Sequence, residues 1–292
     1  MQVVFSDSCV ILSQLDATDK IEIQAFLDNK LDLSEIPIVR NIVLYRFSEE
    51  SSAKALLKAQ KQYAPPDFQP SITDDSDYVA AAQTVCYYVD GKPVVDIYFP
   101  ELYLCDIIHY FSNPYETGGQ DAFRGLQAFH MLAHETGHAL FFQIGGEKVI
   151  LSSQLSAITI KTSNDLKQYI YYEGKTLLSE YAAESRANTY IKLNDYPNLV
   201  EIWRTISDNC ENKNFIKVLS LSYRLLYYAS FHYSYSENYL EDCKEIPLQV
   251  IEYLKEFNAL LNQSHGVFSE SIARGIGEVM YKIGEYLIQH TQ

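Results

Sequence analysis

His134 and His138 stand four residues apart, with Glu135 directly after the first, in the run His134-Glu135-Thr136-Gly137-His138. On an α-helix a four-residue step returns to nearly the same face about one turn further on, so both imidazoles can reach one metal ion. Glu135 then lies beside them as an acid–base group. Two histidines do not complete a catalytic zinc site, which takes three protein ligands and keeps a fourth position open. A second stretch, Leu177 to Leu193, carries Glu180, Glu184 and Asn188 at spacings of four, on one helical face. Its small residues Ala182, Ala183 and Ala187 allow close approach to a neighbour.

The histidines need a helix, and the run from Asp121 to Gly145 predicts one. Phe123, Leu126, Phe129, Leu132 and Ala133, then Leu140, Phe141 and Ile144, recur at spacings of three and four. Gly119 and Gly146 flank the run, Asp121 is placed to cap it, and no proline interrupts it. His130 extends the row by one more step of four, but each such step drifts by about 40°. It is therefore read as packing or supporting the pair, and not as a ligand to the same ion.

The His-Glu-x-x-His string resembles that of zinc hydrolases. The resemblance implies one Zn²⁺ per chain held by the two histidines, with Glu135 as the general base that activates the metal-bound water. The run Glu184-Ser185-Arg186-Ala187-Asn188-Thr189-Tyr190 is similar to the Glu-x-x-Ala-Asn/Asp-x-aromatic element of gluzincin metallopeptidases, including the ImmA/IrrE-type family. That alignment makes Glu184 the third ligand, with Asn188 orienting a histidine through its free ring nitrogen. A competing alignment, Glu180-Tyr181-Ala182-Ala183-Glu184, resembles the lethal-factor-like family and makes Glu180 the ligand and Glu184 its support. The first is preferred here. Thr136 departs from the usual apolar residue, and the 46 residues from His138 to Glu184 exceed the gap in compact ImmA/IrrE-type enzymes.

By this resemblance the expected fold is α+β: a zincin-like core with a small N-terminal sheet, an active-site helix and a glutamate helix, followed by a mainly helical C-terminal region. Residues 1–195 would form the catalytic domain and 196–292 a helical subdomain. The expected activity is peptide-bond hydrolysis on a peptide or protein substrate. Tyr171, Tyr172 and His232 are candidates for stabilising the oxyanion. The main rival is a regulatory protein that keeps the peptidase fold and senses a peptide or metal without cleavage, although an intact Glu135 favours the enzyme. A helical scaffold with a coincidental motif is the third reading.

Composition narrows the partners. Thirty-eight acids against twenty-three bases give a formal charge of −15 over 292 residues, the wrong sign for duplex nucleic acid or an anionic membrane. No window is apolar enough for a membrane span. The first residues lack a basic stretch ahead of an apolar one, so no secretory signal is expected. Cys9, Cys86, Cys105, Cys210 and Cys243 are odd in number and scattered, which suits a reducing, cytoplasmic setting. Oligomeric state leaves no mark in the sequence.

Along the chain, Val3 to Ser13 and Ile36 to Phe47 read as strands, and Asp19 to Asn29 and Ser48 to Ala64 as helices, the second begun by Ser48 and ended by Pro65-Pro66. Pro65 to Asp77 reads as a loop. Val85 to Val89 and Pro93 to Phe99 form a hairpin about Asp90-Gly91. Val94 to Tyr98 is read as either a core strand or an edge strand that pairs with substrate. Glu101 to Phe111 reads as a short helix, and the C-terminal helices as Asn198 to Ser207, Lys213 to Tyr239, Pro247 to Asn262 and Ser269 to His290. Gly275-Ile276-Gly277 is too weak a signal for a nucleotide loop.

Overall fold

The computed structural model describes residues 1–46, 52–66, 68–70, 74–75, 78–79, 82–112, 119–145, 160–193, 196–210 and 214–290. The fold is α+β, mostly helical with a small mixed sheet. Two compact units form: Met1–Ala157 with Thr189–Ile191, and Ile158–Asn188 with Lys192–Gln292.

The first unit is built on a four-stranded sheet of order β1-β2-β6-β5, from β1 (Gln2–Phe5), β2 (Val39–Tyr45), β5 (Gln83–Val89) and β6 (Lys92–Pro100). β1 and β6 flank β2 in parallel, whereas β5 returns antiparallel on β6. Two short strands, β3 (Asp74–Asp75) and β4 (Tyr78–Val79), pair separately. In β2 every residue but Arg40 is buried, as expected of a parallel strand covered on both faces. On one face Val85, Tyr87 and Tyr98 pack with Ala55, Leu56 and Ala59 of α2 (Ser52–Tyr63). The other face of β5 meets α4 (Gln120–Gly145), where the Tyr88 and Phe142 rings are 5.9 Å apart edge to face. The odd and even residues of β5 thus serve opposite faces, the period-two alternation of a strand.

The hairpin forms as the sequence predicts: Asp90 (φ 51°) and Gly91 (φ 74°) are both left-handed, the geometry of a two-residue turn whose twist matches the strands. Its topology decides the role of Val94 to Tyr98. These residues lie on β6, paired on both sides, so they form a core strand; among the described residues β5 is an edge strand of the sheet.

Other boundaries move for local reasons. The first predicted strand ends at Phe5; beyond it the Glu101 carboxylate accepts from the amides of Val10 and Leu12 and turns the chain into a 3-10 segment, Leu12–Gln14. α1 (Ala17–Leu31) begins two residues early because Asp16 and Asp19 form a reciprocal cap. Ser48, the predicted start of α2, lies outside the described residues. α3 (Glu101–Ser112) and α4 follow; Gly125 lets them approach, since a Cβ there would come 2.6 Å from that of Tyr110.

The second unit is helical: α5 (Ser163–Tyr190, whose last two residues group with the first unit), α6 (Leu199–Asp208), α7 (Phe215–Tyr235), α8 (Leu248–Ser264) and α9 (Glu270–His290). The sequence starts α5 at Leu177; the structure starts it fourteen residues earlier. Thr162 and Asp165 cap each other's amides there, a capping box readable as Thr-x-x-Asp. α5 and α9 nearly touch. A Cβ on Gly174 would lie 2.0 Å from the Ala273 carbonyl oxygen, and one on Gly277 would lie 2.4 Å from that of Ile170. Gly277 is therefore a packing glycine. This contact groups most of α5 with the C-terminal helices. Val218, Leu219, Leu225 and Leu226 of α7, Val250, Leu254, Phe257 and Leu261 of α8, and Ile276, Val279, Met280 and Ile283 of α9 are buried at helical spacing. Among the described residues no helix is long and apolar enough to cross a membrane.

Candidate metal centre

α4 carries the motif as a continuous helix. Leu132, Ala133, Ala139, Phe141 and Phe142 are buried, while His134 and His138 are half-buried. Their rings stand 83° apart with centroids 4.7 Å apart, and their Nε2 atoms are 3.1 Å apart. Two nitrogens bound about 2.05 Å from one tetrahedral ion would be about 3.3 Å apart. The observed separation is thus close to that of a shared ligand edge, and it is also that of an N–H···N hydrogen bond between the rings.

One ligand atom each from His134, His138 and Glu180 falls within 4.8 Å of the others. Such a His-His-Glu group could bind a metal ion, and its donors fit zinc as well as other divalent transition ions. Glu184, the ligand of the preferred alignment, is not part of this group. Glu184 is buried one turn further along α5, and its carboxylate accepts from the Tyr196 hydroxyl. Burial raises the Tyr196 pKa and the charge of Glu184 raises it further, so the phenol stays a donor. Asn188, expected to orient a histidine, donates its amide to Ser234 Oγ at 3.0 Å.

Glu135 is buried and held from the sheet. Thr84 Oγ1 on β5 lies 2.7 Å from Glu135 Oε2 and 2.8 Å from the Glu135 carbonyl oxygen. The Tyr45 phenol, fully buried, has its pKa raised by burial first, and then by Tyr103 and the nearby Glu135 charge. Neither Thr84 nor Tyr196 is visible as a site residue from spacing, because both act from outside the motif helices. His130 lies outside the His-His-Glu group, and its Nδ1 donates to the Ile191 carbonyl oxygen at 2.9 Å.

The oxyanion candidates have other partners. His232 Nε2 pairs with the Pro197 carbonyl at 2.9 Å, and burial lowers its pKa. The Tyr171 ring sits under the Arg274 guanidinium, and the Tyr172 hydroxyl accepts from Gln168 Nε2 at 3.0 Å.

Comparison with protein-family models, with curated proteins and with solved structures gives no match.

Proposed function

We propose that the chain is a zinc-dependent metallopeptidase of the gluzincin type, with a zincin-like core. The observation that carries this reading is the His134–His138–Glu180 group with Glu135 directly after the first histidine. Zinc held by these three side chains would supply a Lewis acid that polarises the scissile carbonyl and brings the pKa of water toward neutrality. Glu135 takes the proton of the attacking water and passes it to the leaving amine. Its burial keeps bulk water from competing for that proton.

The sheet supports a peptide as substrate. Val89 and Lys92 close the two-residue turn as a hydrogen-bonded pair, so hydrogen-bonded and open pairs alternate down the ladder. Thr84, Cys86 and Tyr88 fall at the open positions, with main-chain N–H and C=O groups directed away from β6. An extended peptide can pair there by strand addition.

The test combines metal content with proteolysis. Elemental analysis of the purified protein is expected to give about one zinc per chain, and the protein is expected to cleave casein. Glu135→Gln should keep the zinc and lose the cleavage. A protein that binds zinc yet leaves casein and a broad peptide library intact would favour the sensing protein, and one that binds no divalent metal would overturn the proposal.

A further inference from the structure

Thr84 belongs at once to the β5 edge and to the surroundings of Glu135. Its side chain points to α4, where the hydroxyl meets both the carboxylate and the main-chain carbonyl of Glu135. Both partners are acceptors, so the single hydroxyl proton is shared between them in a three-centre bond that ties the Glu135 side chain to its own backbone. Thr84 is buried and opposite Ile97 in the ladder, an open pair, so its main-chain groups face away from β6, on the side where no further strand lies among the described residues. The next inward-facing residue but one, Tyr88, packs on Phe142 further along α4.

We infer that Thr84 is a positioning residue that couples peptide pairing along β5 to the placement of the Glu135 carboxylate. This inference rests on the hydrolase reading above for its catalytic consequence, though not for its geometry. A peptide strand added at the edge would bond the amide and carbonyl of Thr84 and restrict its backbone. The same residue's hydroxyl would then hold Glu135 where the attacking water must be deprotonated. Substrate pairing and base alignment would be one event, and a peptide too short to reach Thr84 would be cleaved slowly.

The test uses Thr84→Val, which keeps shape and strand preference but removes the hydroxyl, and Thr84→Ser, which restores it. In crystal structures of the purified proteins, the Glu135 carboxylate should occupy one position in wild type and Thr84→Ser, and be displaced or spread over rotamers in Thr84→Val. With casein as substrate, kcat should fall about ten- to hundredfold in Thr84→Val, with KM little changed and zinc retained, and recover in Thr84→Ser. An unmoved Glu135 in Thr84→Val, an unchanged kcat, or a Thr84→Ser as impaired as Thr84→Val would overturn the inference. Should the wild type leave casein intact, the hydrolase reading fails, and the three structures still decide whether Thr84 positions Glu135.

Discussion

Tyr196 donates a hydrogen bond to Glu184, one helical turn beyond Glu180. The two glutamates share a helix face but have different surroundings, and that separates their expected phenotypes. Glu180→Gln should lose zinc in elemental analysis. Glu184→Gln keeps an acceptor for Tyr196 and should retain zinc, with a stability loss of about 1–2 kcal/mol by urea titration. The reverse pattern would make Glu184 the third ligand.

Gly275 and Gly277 lie two residues apart on α9 and predict unequal costs. A Cβ at Gly277 would meet the Ile170 carbonyl oxygen at 2.4 Å, which only a shift of α5 can relieve. Gly277→Ala should therefore cost about 3 kcal/mol in denaturant unfolding. At Gly275 the nearest atoms are Leu260 methyls at 3.2 Å, on a side chain able to turn. There the gain in helix propensity, about 1 kcal/mol, should roughly offset the crowding.

Glu173 of α5 is buried, and burial raises its pKa to about 7, offset in part by a hydrogen bond from Tyr169. Below the ordinary carboxylate range both folded and unfolded chains hold the proton, so the group does not change stability. As pH rises from 4.5 toward 7 the unfolded chain ionises while the folded one stays neutral. Stability falls over that window by a few kcal/mol and levels off above it. Glu173→Gln should remove this component. Unfolding midpoints of the two proteins between pH 4.5 and 8 should diverge in favour of the variant; parallel curves would exclude Glu173 as their source.

The motif helix was legible because its signal is local: a four-residue histidine step inside a run of apolar residues spaced by three and four. The β5–β6 hairpin was legible for the same kind of reason, since Asp90-Gly91 names its own turn. What distinguishes Glu180 from Glu184 is not local. Both have the right spacing, and their surroundings differ through Tyr196, which reaches Glu184 from beyond the end of α5. Thr84 was hidden likewise, 51 residues from Glu135, with no periodicity linking them. The early start of α5 was written in Thr162 and Asp165, but polar Asn164, Lys167 and Gln168 mask the apolar rhythm there. The strand order that makes β5 the edge is set by long-range pairing of β2 with β6, which no window reports.

That strand order also bears on how the chain assembles. The β5–β6 hairpin, α3 and α4 occupy one unbroken stretch from Gln83 to Gly145, and β5 meets β6 and α3 meets α4 within it. The parallel ladders must instead bring together distant residues, Gln2 with Asn41 between β1 and β2 and Val39 with Val95 between β2 and β6. Closing short loops costs less chain entropy than closing long ones. The hairpin and its two helices therefore form the natural nucleus, with the parallel strands zipping on afterwards. On this argument the segment expected to fold first is the one that carries both histidines and Glu135.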